Sequence, residues 1–314
     1  MEAGTAQLGS KTPGGVPPLG VKRRRWGEEV IRALLFVAAG ISILTTVGIV
    51  VALLSESWSF FEDVGARFFT DGSWGPLFAD PTYGIWQLLN GTFLITGIAI
   101  LVAIPLGLGA AVYLSEYATA RVRKIIKPVL EILVGVPTVV FGYFALTFVT
   151  PEILQALGIG VLGFNALAAG LVMGIMIVPT IASISEDAMR AVPQGLREGA
   201  FGLGSTRRQV ATRVVFPAAL SGIVASIVLG ISRGVGETMI VLLAAGLQPN
   251  FGVDPQEGYA TITTFMGATA KGDNPAGTIG YESIFACGLI LFVLTFAMNL
   301  IAIRFVRKYR QVYE

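Results

Sequence analysis

Residues 198–217 read EGAFGLGSTRRQVATRVVFP, and they decide how the rest of the chain is understood. The stretch mixes charge with small residues, so it cannot itself be a lipid-facing span. Glycine at 204 permits a tight turn that a side chain would obstruct, and Ser205-Thr206 is a plausible N-cap pair for the helical piece that follows, Thr206–Val215. With the residues before it, the stretch completes a connection of 33 residues, Glu186 to Ala218. It reads as a short helix SEDAMRAV, a break at Pro193-Gln194-Gly195, a helix near Leu196–Leu203, a turn at Gly204, and Thr206–Val215 leading to Pro217. Two readings fit: an amphipathic helix resting on lipid headgroups, or a docking helix for a partner at the membrane face.

Outward from this loop, both flanks are apolar. Runs at 161–184 and 218–247 bound it, and four more lie at 32–54, 88–114, 128–150 and 282–306. Each has about the 20 apolar residues a spanning helix needs. The 314-residue chain is 54% apolar and 13% charged, with a mean hydropathy of +0.74. Soluble domains carry roughly 25% charged residues, so the apolar excess must face lipid. The expected fold class is an all-α membrane protein of six transmembrane helices, with soluble parts too small to be separate domains. The run at 32–54 follows a KRRR stretch, but it exceeds a signal-peptide core and LLSES offers no A-x-A cleavage site. It reads as a retained helix. Residues 1–30 read as a basic tail, with 1–20 rich in Gly and Pro and expected to be disordered.

Charge gives the runs a direction. Nineteen of the 22 Lys and Arg residues fall in the N-terminal tail, the second-to-third and fourth-to-fifth connections, and the C-terminus. The opposite loops hold only Arg67 and Lys271. The positive-inside rule therefore predicts that both termini are cytoplasmic. The external loops contain Trp58, Trp74, Tyr83 and Trp86, which suit an interfacial aromatic belt. They also carry ten acids, a field that repels a free anion near the surface unless a docked carrier delivers it.

Several chemistries are excluded. The chain has no His, so histidine-dependent zinc sites, Ser-His-Asp triads and histidine proton relays are impossible. The lone Cys287 lies in the apolar run FACGLILFV and reads as helix packing. No phosphate-cradling G-x-x-x-x-G-K-[ST] motif occurs. Nucleotide energy, if used, comes from another chain. No metal or other cofactor is expected on this one, and nothing calls for a nucleic-acid partner.

The one charged island inside a span is Ser232-Arg233-Gly234-Val235-Gly236-Glu237-Thr238. Burying charge at the bilayer centre costs at least about 2.5 kcal/mol per residue on insertion scales. On a continuous helix Arg233 and Glu237, four apart, would share a face about 6 Å apart along the axis and neutralise one another. They are either a structural pair that fixes packing or residues of a hydrated path, with Arg233 a bidentate anion ligand and Glu237 its resting counter-ion. Glycines 230, 234 and 236 allow close helix contact or a local hinge.

Two resemblances narrow these readings. Glu198-Gly199-Ala200, three residues, Gly204, nine residues, then Val214-x-Phe216-Pro217 resembles the E-A-A loop of ABC importer permeases, departing by Gly199, Val214 and Phe216. Pro81-Thr-Tyr-Gly-Ile-Trp86, Asn90-Gly-Thr92, Tyr113-Leu-Ser-Glu-Tyr-Ala118, the Glu131–Gly142 segment and Arg233-x3-Glu237-Thr238 resemble permeases of high-affinity phosphate ABC importers. Of the two homologous permeases in such systems, the chain is more similar to the PstC type than to the PstA type, mainly in its W-x-P-x3-D-x2-Y-G-I approach to span two, Trp74 to Ile85.

The resemblance implies a type I importer (MetI-like) permease core over about 31–314, with a coupling loop at 186–217 whose Glu198, Gly199, Ala200, Gly204 and Pro217 meet an ATP-hydrolysing subunit. It implies that Arg233, Glu237 and Thr238 lie on the phosphate path. It further implies a PstA-type permease partner, a PstB-type ATP-binding dimer that uses the ATP, a PstS-type extracytoplasmic phosphate-binding protein, and a prokaryotic cell membrane. A permease for sulfate or molybdate, a gradient-driven anion transporter and, last, a membrane enzyme are the competing readings.

Overall fold

The computed structural model describes residues 26–76, 78, 80–272, 275 and 277–309, with side chains from Gly27 to Arg307. The tail expected to be disordered, the bases Lys11 and Lys22–Arg25, Arg310 and Asp273 lie outside the described residues. The chain divides into two units between Val51 and Ala52. The first is the leading part of α1 (Trp26–Val64), an apolar helix whose Leu34, Leu35, Phe36 and Leu44 are exposed.

Among the described residues of the second unit, the regular structure is helical apart from an antiparallel ribbon of two-residue strands, β1 (Trp74–Gly75) with β2 (Thr82–Tyr83). After α1 come α2 (Arg67–Thr70), α3 (Trp86–Val112) closed by a π-helical turn Tyr113–Tyr117, α4 (Ala120–Val134), and α5 (Thr138–Phe144) continued as a π-helical stretch to Gln155. Then come α6 (Ala166–Arg190), α7 (Gln194–Gly202), α8 (Arg207–Val210), a π-helical turn Ala211–Val215, α9 (Phe216–Ala218), α10 (Leu220–Val235), α11 (Met239–Ala244), α12 (Ile262–Thr269) and α13 (Ile279–Tyr309).

Among the described residues five helices are long and apolar enough to cross a membrane: Gly27–Val64, Trp86–Tyr117, Thr138–Gln155, Ala166–Arg190 and Ile279–Arg307. A sixth candidate, by length and composition, is the pair Arg207–Ala218 and Leu220–Val235, which meet at a bend of 72°. The membrane-protein fold expected from composition is therefore present. Two of its boundaries differ from the apolar runs. The run 128–150 is interrupted at Gly135–Pro137, because proline has no N–H to donate and disfavours helical geometry in the residue before it. The span begins at Thr138, and α4 before it is a separate helix with no buried residue. The run 218–247 is interrupted at Gly236–Thr238. Sixteen-residue α10 rises only about 24 Å, short of a hydrocarbon core of about 30 Å, and α11 continues beyond the break.

The core of the second unit is the α3–α6 seam. A Cβ on Gly174 would lie 2.8 Å from the Ala99 carbonyl oxygen, and one on Gly107 would lie 2.9 Å from Ile181 Cβ. Small residues here let two helices approach closely, as in membrane bundles generally. Ile95, Ala99, Ala103, Met173, Ile177 and Ile181 fill the seam.

A second cluster packs the chain leading into α3. Phe60 meets Phe68 and Tyr83 edge-on at centroid distances of 5.5 and 5.4 Å, and Trp74 meets Phe265 at 4.9 Å. Trp58 and Trp86 are exposed, as aromatic-belt residues would be, but Trp74 and Tyr83 are buried in this cluster. Their place in a belt is corrected. The ribbon folds them inward, where edge-to-face stacking adds to apolar burial. Cys287 is buried in the same cluster.

Candidate functional site

The break in the fifth span is built from its own side chains. Gly236 caps α10, and one Glu237 carboxylate oxygen accepts the backbone N–H groups of Met239 and Ile240 at 3.0 and 3.2 Å, opening α11. Thr263 donates its hydroxyl to the Glu237 carbonyl at 2.7 Å. Backbone groups released at membrane depth need such partners. Glu237 is 8% exposed, and Thr92, Thr96 and Thr261 close around it.

Arg233 points elsewhere. Its Nη1 donates to Thr180 Oγ1 of α6 at 3.1 Å, its one hydrogen bond among the described residues, and the side chain is half-buried. No Arg233–Glu237 ion pair forms among the described residues. The expected pairing on a shared helix face fails for a geometric reason: the helix ends between the two, and the carboxylate is engaged with amides of the next helix. Thr238 sits in the break, with its hydroxyl 3.5 Å from the Gly236 carbonyl. Gly230 and Gly234 serve contact, packing on Ile177, Ile181 and Thr96, whereas Gly236 marks the break.

Near Thr180, a cavity of about 270 Å³ lies between α4 and α6, lined by Leu130, Glu131, Val134, Pro179, Thr180, Ser183 and Ile184.

In the connection between the fourth and fifth spans, α7 is followed by one continuous helical stretch, Arg207–Ala218, made of α8, the π-helical turn and α9. SEDAMRAV is not separate: Ser185–Arg190 continue α6. Pro193 starts α7, and Gly204 turns the chain with φ +79°. Thr206, not Ser205, caps α8 in a capping box with Gln209. Glu198 and Gly199 are exposed, Ala200 is half-buried and Pro217 is exposed in α9. Leu203, 89% exposed, and Phe201 stand beside Gly204.

Two anchors that sequence reasoning missed tie this loop to the bundle. Arg197 of α7 pairs with Glu116 at the end of α3, and its Nη2 donates to the Met189 carbonyl of α6 at 2.7 Å. Glu186 near the end of α6 is fully buried and faces Arg123 at 3.6 Å, Lys127 at 2.9 Å and Arg190 at 3.5 Å. Lys127 also reaches Asp187 at 2.6 Å. That hydrogen bond, reinforced by Glu186 against the pull of burial, holds the Lys127 ammonium above the ordinary lysine pKa. Arg123 further donates to the Leu114 carbonyl. The signal that could have found them was the presence of acids at helix ends on the strongly basic side of the chain.

Comparison with known proteins places this geometry. Residues 103–311 match the family described as "Binding-protein-dependent transport system inner membrane component". The chain is 35% identical to the Probable ABC transporter permease protein YqgH of Bacillus subtilis, covering 89% of each chain. It is 32% identical to the Phosphate transport system permease protein PstC of Mesorhizobium japonicum, covering 90% of each. Among solved structures, the bacterial alginate ABC transporter in complex with its alginate pentasaccharide-bound periplasmic protein shares the fold at a TM-score of 0.64 and 16% identity, over 93% of this chain and all of that one. An inward-facing MetNI methionine ABC transporter does so at 0.54 and 19%, over 73% of this chain and 95% of that one. With a family match over most of its length and relatives above 30% identity along nearly all of it, the chain belongs to the binding-protein-dependent transport system inner membrane component family.

Proposed function

We propose that this chain is a permease subunit of an ATP-driven phosphate importer. It forms the translocation path with a homologous PstA-type permease, receives phosphate from a PstS-type binding protein and is driven by a PstB-type ATP-binding dimer. It carries out no covalent chemistry; ATP is bound and used by the partner, and both termini face the cytoplasm.

The observation that carries this reading is the Arg233 guanidinium, half-buried at a break in a span. Among the described residues it has no carboxylate partner, because Glu237 is bound to backbone amides. An arginine so placed is costly in a membrane and suits recognition of an oxyanion by several N–H groups at once. The PstC relatives favour phosphate among oxyanions. The exposed Leu203 and Phe201 beside Gly204 suit a docking face for the ATP-binding partner, which would pull on α7 and, through Arg197, on the ends of α3 and α6.

The test is uptake of labelled phosphate by vesicles holding the whole complex, loaded with ATP and supplied with binding protein. Arg233→Gln should abolish uptake while the complex still co-purifies; normal uptake by that variant would sink the anion-ligand role. An excess of sulfate or molybdate should not compete. Competition as strong as that of unlabelled phosphate would favour the other oxyanion permeases.

A further inference from the structure

We propose that the cavity between α4 and α6 is a second oxyanion station, immediately beyond Arg233, whose ligands are the hydroxyls of Thr180 and Ser183. The proposal rests on the reading of Arg233 as an anion ligand and extends the path past it.

Three observations support it. First, Thr180 joins the two places: its oxygen accepts from Arg233, and the same side chain lines the cavity of about 270 Å³. Second, Thr180 and Ser183 are three residues apart on one helix, so their hydroxyls lie on one face about 4.5 Å apart along the axis. Both border that cavity. Third, both keep a free O–H. Hydroxyls on apolar helices ordinarily donate back to the preceding turn, as Thr46, Thr92, Thr147, Thr212 and Thr295 do here at 2.7–2.9 Å. Among the described residues Thr180 and Ser183 make no such bond. Their protons are available to a ligand, next to a guanidinium that supplies more.

The chemistry also sets the character of the station. Glu131, on the α4 wall of the same cavity, opposes a resting anion. Donors on one wall and a carboxylate on the other make a place of brief occupancy, and conduction requires sites weak enough to leave. Thr180 has a double duty, accepting from Arg233 and donating to the anion, which a hydroxyl can do and a methyl cannot.

The test uses the complete complex in vesicles, supplied with labelled phosphate on its binding protein. Thr180→Val keeps the shape and removes both hydrogen bonds. Maximal uptake should fall about tenfold, the scale of one hydrogen bond to a charged group, with the half-saturating concentration unchanged. Thr180→Ser should restore uptake, and Ser183→Ala should lower it several-fold. Wild-type uptake in Thr180→Val and Ser183→Ala would overturn the station, as would Thr180→Ser failing alongside Thr180→Val, which would make the methyl's packing the cause. Wild-type vesicles that moved no phosphate would overturn the proposed function and this inference with it.

A second measurement does not depend on uptake. The native Cys287 is buried, so Ser183→Cys introduces the one accessible thiol of this chain. It should react with a small anionic thiosulfonate reagent at rest or during ATP turnover. No labelling in either condition would overturn a hydrated cavity.

Discussion

Arg197 and Glu116, 81 residues apart in sequence, form an ion pair in which both side chains are largely buried, at 12% and 7% exposure. It joins α7 to the end of α3, and Arg197 reaches α6 through the Met189 carbonyl. Removing one member of such a pair leaves a charge without compensation at a cost of about 3–5 kcal/mol. Arg197→Ala should therefore lower the melting temperature of the purified complex. It should also reduce the phosphate moved per ATP hydrolysed, because α7 loses its grip on two spans. Glu116→Arg combined with Arg197→Glu should recover part of both. A double reversal no better than either single change would remove the pair from the coupling route.

Glu186 holds three cations, and its burial makes it unlike its neighbour. Glu186→Gln leaves Arg123, Lys127 and Arg190 facing one another and should cost about 3 kcal/mol. Asp187→Asn removes a partner whose side chain is 61% exposed, and exposed pairs contribute about 0–1 kcal/mol. Denaturation of the two variants in mild detergent should separate them clearly. Equal midpoints would show that the buried cluster is not a structural keystone.

Glu237 can act as a cap or as a counter-ion, and one substitution distinguishes these. Glu237→Gln retains an oxygen for the Met239 and Ile240 amides and removes the charge. Glu237→Ala removes both. A cap predicts near-normal stability and uptake for Gln, with a loss of about 1 kcal/mol for Ala. If phosphate uptake collapses equally in both while melting is unchanged, the charge itself is what transport uses.

Gly204 turns between α7 and α8 with φ +79°, and no atom lies within 4 Å of where a Cβ would sit. Gly204→Ala would therefore strain only the backbone, by about 1–2 kcal/mol. Gly204→Asn should be milder, since asparagine tolerates that region better. ATP-coupled uptake should rank in the order Gly, Asn, Ala. The reverse order would mean that the partner surface, rather than the turn, sets the requirement.

The spans were legible because lipid imposes length and apolarity on residues such as those of α3 and α6. The loop helices were legible too: Pro193, Gly204 and Thr206 are punctuation with a local mechanism. What escaped were features decided by contacts far apart in sequence. Glu237 chooses two amides over Arg233 because the chain breaks at Gly236, and helical spacing alone assumes no break. Trp74 and Tyr83 have the composition of interface residues, yet Phe60, Phe68 and Phe265 gather around them from distant segments. Arg123 and Lys127 counted only as topological charges, since nothing local announces that Glu186 will be buried between them.

The division at Gly236 has a consequence for how the span can move. Arg233 lies on α10, while the Glu237 carboxylate is fastened to the first turn of α11, so a change in the angle between the two helices would change the distance between the two side chains. A spectroscopic ruler across those two positions would read the conformation of the span directly, since any rocking of one helix against the other must open or close that gap. An unbroken helix would give the same reading in every state.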